Sequence, residues 1–405
     1  MGKKPFVIDV DGHVTEPIDL WQKYLESQYR ARAPRMLKTD KGLEGLFIED
    51  KPCIEILWGI FGLLSGIGHK AEELYQPGRY PYNHPAVTHP GSYDGKARLE
   101  AMDKQGLDMA FIYPTLSLFW DSEVEDFKLA AACARAYNRW AWDFCQNNPE
   151  RMKPVAHIHL GDVEEAAKEV QRVAKEGFPG VFIAPKHYNG HPYPGDPYYD
   201  PFWAAAQDCD LPVGIHITFP QSEATWANSS YPPSGFPSFA WWFLQNRPMV
   251  VQQSFSTLFT LGTLDKFPRL RVLVVEATGS WITNFLERLD SKYKFVGHVE
   301  VNLKMLPSEV FKRNCWISMD ADESSMRDVV PRVGADKILF ASDFPHSDGC
   351  PMPVDEAREA LEGLSEDAIN KILAGNALDA YSGVGKSQIR SKELGTSETE
   401  ARPPL

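Results

Sequence analysis

Eight short apolar segments, each followed by a segment of helical periodicity, restrict the fold of this chain more than any other feature of its sequence. Such apolar segments predict strands, and they lie near residues 7–13, 108–113, 154–159, 180–184, 212–217, 270–276, 314–319 and 337–343. Alternating strands and helices build a parallel sheet, and eight such units favour a closed (β/α)8 TIM barrel. We therefore predict an α/β protein with one barrel domain over residues 1–381. The Gly-, Ser-, Lys- and Glu-rich residues 382–405 are predicted to be a disordered tail.

Two long insertions interrupt the alternation, one after the first predicted strand and one after the fifth. The first, residues 30–92, is rich in proline and is predicted to be an irregular, ordered loop over a pocket. The second, residues 219–243, combines proline with aromatic residues and precedes a helix predicted over 249–261. Trp226 in this insertion is predicted to wall an aromatic or apolar substrate, or else to form an oligomer contact. A single long helix is predicted over residues 122–148.

Composition excludes several classes of function. The formal net charge of -13 argues against a nucleic-acid partner and against an anionic membrane surface. The sequence contains neither an apolar run of about 18 residues, which a membrane span needs, nor a recognisable secretory signal. The six cysteines are scattered without a Cys-x-x-Cys pair, as is typical of reduced thiols. These observations predict a cytoplasmic protein.

Polar side chains stand where at least five of the eight predicted strands end. Active sites of such barrels lie at the carboxyl ends of the strands, so these residues are expected to converge. Asp11 and His13 have the period-two spacing that places two potential metal ligands on one side of a strand. The complete set is Asp11, His13, His157, His159, Lys186, His187, His216, Glu276, Asp343 and His346.

Roles for five of these residues follow only from their positions. His157 and His159 share one face of the third predicted strand, so both face the barrel interior, where one of them would contact substrate as a catalytic candidate, or both face the helices. Lys186 and His187 follow the fourth strand, where they meet a substrate carboxylate or belong to a solvated loop. His346 is expected to line the mouth of the pocket.

Three motifs carry a resemblance to a known family. They are Asp11-Gly-His13, His216 in the segment Gly-Ile-His-Ile, and Ala341-Ser-Asp-Phe-Pro-His346. Together they resemble the amidohydrolase superfamily, and within it the amidohydrolase-related branch that includes aminocarboxymuconate semialdehyde decarboxylase and the resorcylate decarboxylases. The resemblance extends from Val7 to Tyr381. It implies that Asp11, His13, His216 and Asp343 bind one divalent metal, with zinc expected first and manganese or iron as alternatives.

Two positions depart from the pattern of that family. The first motif is Asp-x-His instead of His-x-His or Glu-x-His. Glu276 stands after the sixth strand, where the decarboxylases usually carry a histidine that acts as acid or base. Glu276 is therefore a candidate general acid or base, or a carboxylate that orients a metal-bound histidine. It is alternatively a further metal ligand or a bridge to a second metal.

The expected activity is that of a metal-dependent hydrolase or a non-oxidative decarboxylase (a carboxy-lyase). Its expected substrate is a small, aromatic or unsaturated carboxylic acid. In hydrolysis Asp343 would take the proton of a metal-bound water; the missing histidine weakens the decarboxylase variant. Two alternatives stay open: a bimetallic non-heme iron or manganese oxygenase built on the same barrel, and a non-catalytic barrel. The family further suggests a homo-oligomer, a dimer.

Overall fold

In a computed structural model of the protein, residues 6–53, 58–121, 124–191, 193–218 and 239–381 are described. Eight strands form one parallel sheet, and each is hydrogen-bonded to the next of the eight along the chain. The barrel strands are β1 Ile8–His13, β5 Met109–Tyr113, β6 Met152–His157, β7 Gly180–Ile183, β8 Val213–His216, β9 Val272–Val275, β10 Cys315–Asp320 and β11 Ile338–Ala341. These strands coincide with the eight predicted ones to within a few residues, and the predicted (β/α)8 barrel is confirmed.

The barrel closes between its first and last strands. Each pair of sequential barrel strands is hydrogen-bonded in parallel. Between the two ends of the chain, the Asp343 amide donates to the Asp11 carbonyl (3.0 Å) and the His13 amide donates to the Phe344 carbonyl (2.5 Å). The seam of the barrel therefore passes through residues predicted to bind metal.

Sixteen α-helices are described around and above the sheet. They are α1 Leu20–Tyr24, α2 Ala71–Leu74, α3 Gly95–Gln105, α4 Leu116–Trp120, α5 Phe127–Cys145, α6 Val163–Glu176, α7 Asp200–Asp208, α8 Phe239–Thr260, α9 Thr263–Lys266, α10 Ile282–Lys292, α11 His298–Glu300, α12 Pro307–Asn314, α13 Met326–Val333, α14 Pro353–Ala360, α15 Glu366–Asn370 and α16 Asn376–Ala380.

Local sequence explains why several helices begin and end where they do. The side chains of Asp94 and Asp162 accept hydrogen bonds from the first-turn amides of α3 and α6, as N-cap carboxylates do. Gly106 and Gly177 end the same two helices in the left-handed region (φ 81° and 94°), which glycine adopts without steric cost. The predicted bounds of α6 are confirmed for this reason.

The first insertion corrects a prediction. Residues 30–92 were expected to be irregular, but they contain a three-stranded antiparallel sheet of β2 Arg35–Lys38, β3 Glu44–Ile48 and β4 Lys51–Cys53. These strands are short, and Pro52 lies in the edge strand, where a missing amide is tolerated. No sustained period-two pattern was therefore available to reveal them.

Two helix boundaries also differ from prediction. The long helix predicted over 122–148 is the shorter α5, Phe127–Cys145, which begins where the Asp126 side chain caps it. Helix α8 begins at Phe239, ten residues before the predicted start at 249, and continues through Pro248. Proline in a helix usually marks a boundary, so the local sequence does not indicate that the helix extends across Pro248.

Several predictions fall outside the described residues, namely those for Trp226 and for the tail 382–405. Among the described helices, none is long and apolar enough to cross a bilayer. The six cysteines form no disulfide bonds with one another.

Candidate metal centre

Four predicted residues meet at the carboxyl ends of three strands. One ligand atom from each of Asp11, His13, His216 and Glu276 lies within 4.8 Å of every other. His13, Asp343 and His346 form a second group by the same measure. Asp11 and His13 belong to β1, His216 ends β8, Glu276 follows β9 and Asp343 follows β11. The rim of the barrel thus gathers two histidines and two carboxylates around one point, and Asp343 Oδ1 lies 3.6 Å from His13 Nε2 at the edge of this group.

Backbone carbonyls set the tautomers of both histidines. His13 Nδ1 lies 2.7 Å from the Pro114 carbonyl, and His216 Nδ1 lies 2.7 Å from the Ile217 carbonyl. A carbonyl can only accept, so each Nδ1 carries the proton and donates it. Each Nε2 then presents a lone pair towards the carboxylates, which is the arrangement of metal-binding histidine.

The facing atoms have spacings that suit a shared cation. Asp11 Oδ1 lies 3.2 Å from His13 Nε2 and 3.2 Å from His216 Nε2, and Glu276 Oε2 lies 3.2 Å from His216 Nε2. Ligand atoms about 2.1 Å from one ion lie roughly 3.0–3.4 Å apart. Asp11 Oδ2, His13 Nε2 and Glu276 Oε2 are buried without hydrogen-bond partners in the described part of the chain. Buried polar atoms are normally satisfied, so these residues fit a divalent metal.

Glu276 and Asp343 are both held in a strained backbone conformation. Their φ angles are 51° and 55°, in the left-handed region that non-glycine residues rarely occupy and that often marks functional sites. Glu276 Oε1 accepts a hydrogen bond from Arg247 Nη2 (2.7 Å). Burial raises the pKa of Glu276 well above its usual range; Arg247 opposes this effect and Asp343 adds to it. The turn after β9 thus places one oxygen at the metal centre and the other at an arginine.

His346 connects Asp343 to the start of α4. Its Nδ1 lies 2.7 Å from Asp343 Oδ1, and its Nε2 lies 3.0 Å from Thr115 Oγ1. Burial lowers the pKa of His346 to about 4, so the imidazole is neutral at pH 7. The buried carboxylate of Glu16 fixes this end of α4 by accepting from the amides of Thr115, Leu116 and Ser117.

A cavity of about 280 Å³ opens beside Glu276 and Asp343. Arg247 is the single basic residue among the described residues that line it, whereas Asp320, Asp322 and Asp348 are acidic. Burial, together with neighbouring Glu323 and Asp11, raises the pKa of Asp320 to about 7. Most of the ionisable side chains that line the cavity are therefore carboxyl groups, and those of Glu276, Asp320 and Asp343 have raised pKa values. The one basic side chain described there, Arg247, lies close to the candidate metal ligands.

Three other predicted residues form a separate buried cluster. His157 Nε2 and His159 Nε2 lie 3.3 Å and 3.6 Å from Asp121 Oδ1, and Lys186 Nζ donates to the Asp121 carbonyl (3.3 Å). Burial raises the pKa of Asp121, but His159, His157 and Lys186 outweigh burial and hold it below its usual range. The Phe182 ring lies between this cluster and the candidate metal centre. Its centroid is 4.6 Å from that of the stacked His157 ring and 5.9 Å from that of the His216 ring.

The structure thus divides the predicted residues into groups. Asp11, His13, His216, Glu276, Asp343 and His346 converge, while His157, His159 and Lys186 surround Asp121 and do not line the described cavity. His159 lies two residues beyond the end of β6. His187 packs edge-on against Tyr193, with the two ring centroids 6.2 Å apart. Sequence reasoning missed Arg247, Thr115 and Asp121. Arg247 lies inside α8 and Asp121 follows α4, so no local signal marked these two residues. Thr115 lies two residues after β5, so the end of that strand was a signal that could have found it.

The fold and the site together define a class: (β/α)8 barrels with a candidate metal centre at the carboxyl rim. The amidohydrolase family model (Amidohydro_2) matches residues 8–383. The chain belongs to this family. A gamma-resorcylate decarboxylase from Rhizobium radiobacter is 25% identical over 271 residues, which are 61% of this chain and 76% of that protein.

Solved structures share the fold. An amidohydrolase from Mycobacterium avium subsp. paratuberculosis K-10 superposes with a TM-score of 0.78 at 24% identity, covering 94% of this chain and all of that one (100%). A 5-carboxyvanillate decarboxylase from Novosphingobium aromaticivorans DSM 12444 was solved in complex with manganese and 4-hydroxy-3-methoxy-5-nitrobenzoic acid. It superposes with a TM-score of 0.65 at 21% identity, covering 94% of this chain and 96% of that one. These relatives give no support to the bimetallic oxygenase alternative.

Proposed function

We propose that this protein is a metal-dependent non-oxidative decarboxylase of a small aromatic carboxylic acid. The observation that carries the proposal is the group of two Nε2 lone pairs and three carboxylates at the barrel rim. The relatives named above include decarboxylases of hydroxylated aromatic acids, which favours decarboxylation over hydrolysis.

Asp11, His13, His216, Glu276 and Asp343 would hold one divalent metal. We favour manganese over the zinc first expected, because three carboxylates shift the preference towards harder ions and because the structural relative contains manganese. When bound, the metal would act as a Lewis acid on the substrate carboxylate and a neighbouring oxygen.

The remaining residues orient the substrate and supply a proton. Arg247, as the basic residue of the described cavity wall, would pair with the carboxylate, since a guanidinium matches its geometry. Loss of CO₂ requires protonation of the carbon that carried it. The hydrogen-bonded series Thr115–His346–Asp343 would hold that proton at Asp343, within reach of the metal centre.

The proposal is tested by incubating manganese-loaded protein with 2,6-dihydroxybenzoate, 5-carboxyvanillate and benzoate in D₂O. We expect CO₂ release from at least one hydroxylated acid, with one deuterium in the product at the vacated carbon. His216→Ala, which removes a candidate ligand, should show neither. Wild-type protein that binds manganese but leaves a wide panel of aromatic acids intact would contradict decarboxylation, and hydrolysis of ester or amide analogues would then favour the hydrolase alternative.

A further inference from the structure

A fully buried arginine below the metal centre is not used by the proposed chemistry. Arg98 on α3 is 0% exposed, and its Nη1 donates to the His13 carbonyl (2.6 Å). Its Nε and Nη2 lack hydrogen-bond partners in the described part of the chain. Burial lowers the pKa of Arg98 to about 10, with Asp9 opposing, so the guanidinium remains charged at pH 7.

The contacts of Arg98 join both ends of the chain. The guanidinium carbon lies 4.3 Å from the centre of the Phe344 ring, a cation–π contact. The Phe344 carbonyl in turn accepts from the His13 amide. Three contacts therefore connect Arg98, His13 and Phe344 pairwise. His13 is held through its carbonyl by Arg98 and through its amide by Phe344. Phe344 directly follows Asp343, so the set links a candidate ligand of β1 to one after β11.

Gly12 is part of the same arrangement. A Cβ atom at Gly12 would lie 2.3 Å from Arg98 Nη2 and 2.9 Å from Asp9 Oδ2. The residue between the two ligands Asp11 and His13 must therefore lack a side chain if the guanidinium is to occupy its place. The arginine and the glycine of the first motif thus depend on one another.

Stability alone does not account for this residue. A buried charge that is only partly satisfied costs free energy. A buried ion pair such as that of Arg98 and Asp9 can often be replaced by apolar side chains without loss of stability, whereas removal of Arg98 alone would leave the Asp9 carboxylate without its cation. Residues that orient metal ligands, in contrast, commonly change metal affinity by about 10–100-fold when they are lost.

We infer that Arg98 is a positioning residue that sets the spacing between the metal ligands of β1 and those after β11. The inference rests on the proposed metal site. It concerns the metal affinity of the folded protein, which is measured separately from the folding stability of the metal-free form: a purely structural residue would change the stability and leave the affinity of the folded protein unchanged.

The test measures manganese affinity by calorimetry on metal-free protein, together with the electron paramagnetic resonance spectrum of bound manganese. We expect Arg98→Met to bind manganese at least tenfold more weakly and with an altered spectrum at temperatures where its metal-free form is folded. The melting temperature of the metal-free form is expected to fall as well, because the buried Asp9 carboxylate loses its cation. Arg98→Lys should recover part of the affinity, and Gly12→Ala should weaken binding as Arg98→Met does.

Arg151→Met is the matched control, because Arg151 also donates to strand-flanking carbonyls, those of Leu107 and Asp108, but at the opposite end of the barrel. It should lower stability and leave affinity unchanged. Wild-type affinity and spectrum in Arg98→Met overturn the inference. If that variant does not fold, weakened binding in Arg98→Lys and Phe344→Leu supports the inference and wild-type binding in both overturns it. Absence of manganese binding by the wild type would instead overturn the proposed metal site itself.

Discussion

At the scale of single residues, the two carboxylate oxygens of Glu276 have different partners. One oxygen faces His216 Nε2 and the other accepts from Arg247. A metal-binding histidine at this position could not serve both partners, because its second ring nitrogen would carry a proton and would face a guanidinium that can only donate. The carboxylate is thus matched to Arg247, which lines the cavity from α8.

Replacing Arg247 with Met is expected to raise the KM for the carboxylate substrate about 10–100-fold, since a charge-assisted hydrogen bond contributes about 1.5–3 kcal/mol. Manganese content should stay at one per chain, because Arg247 is not a candidate ligand. Steady-state kinetics and metal analysis measure both quantities. The KM of Arg247→Lys should lie between the values for the wild type and for Arg247→Met. The KM of Arg327→Met, a change at an exposed arginine, should match that of the wild type. An unchanged KM would contradict the role of Arg247.

At the scale of elements, the cluster around Asp121 joins the end of α4 to the ends of β6 and β7. The His159 imidazole is buried, and burial lowers its pKa to about 4, with Asp121 opposing. The folded protein therefore favours the neutral ring, whereas the unfolded chain takes up a proton below about pH 6.5. Stability from this ring is present above pH 6.5 and is lost as pH falls towards 4.

We expect His159→Gln to flatten the dependence of unfolding free energy on pH between 6.5 and 4. Over this pH range the wild type should lose about 3 kcal/mol more unfolding free energy than His159→Gln, because each pKa unit by which folding shifts the imidazole corresponds to about 1.36 kcal/mol. Urea denaturation of both proteins at pH 7 and at pH 4.5 measures it. Asp121→Asn provides a comparison, because its depressed carboxyl pKa places its loss of stability at still lower pH. Identical pH profiles for wild type and His159→Gln would refute the assignment.

Elements of the barrel were predictable from sequence because each repeats one physical pattern. The four residues of β9, Val272–Val275, are all buried and read as a strand without ambiguity. The candidate ligands followed, because strand ends in a parallel barrel meet at one rim. The sheet β2–β4 and Arg247 were not predictable, since the former has no long alternation and the latter depends on how α8 packs across the cavity.

At the scale of the whole molecule, the candidate ligands come from β1, β8, β9 and β11, so a bound metal would cross-link the barrel at four strands. Such a cation binds the folded chain alone and stabilises it by mass action. The added stability is expected to be greatest between the first and last strands. These strands carry Asp11 and His13 or lead to Asp343, and they meet at the seam.

Removing the metal with a chelator is therefore expected to lower the melting temperature. At a hundredfold excess over Kd, binding contributes about 2.7 kcal/mol, which corresponds to several degrees for a domain of this size. Scanning calorimetry of metal-free protein with and without added manganese measures the shift. His216→Ala should show no shift. A wild-type melting temperature that is independent of manganese would argue against the site.

The position of the seam also bears on how the protein is made. Asp343 lies 330 residues after His13 in the chain (343 minus 13), and ribosomes add about 5–20 residues each second. The nascent polypeptide thus exposes its first candidate ligands roughly 15–65 s before the last strand-end carboxylate is synthesised. The proposed coordination sphere would be incomplete during that interval, so selection among ions would fall to the finished barrel. A prematurely terminated chain that lacks the last strand would keep four of the five candidate donors and lose the proposed geometry.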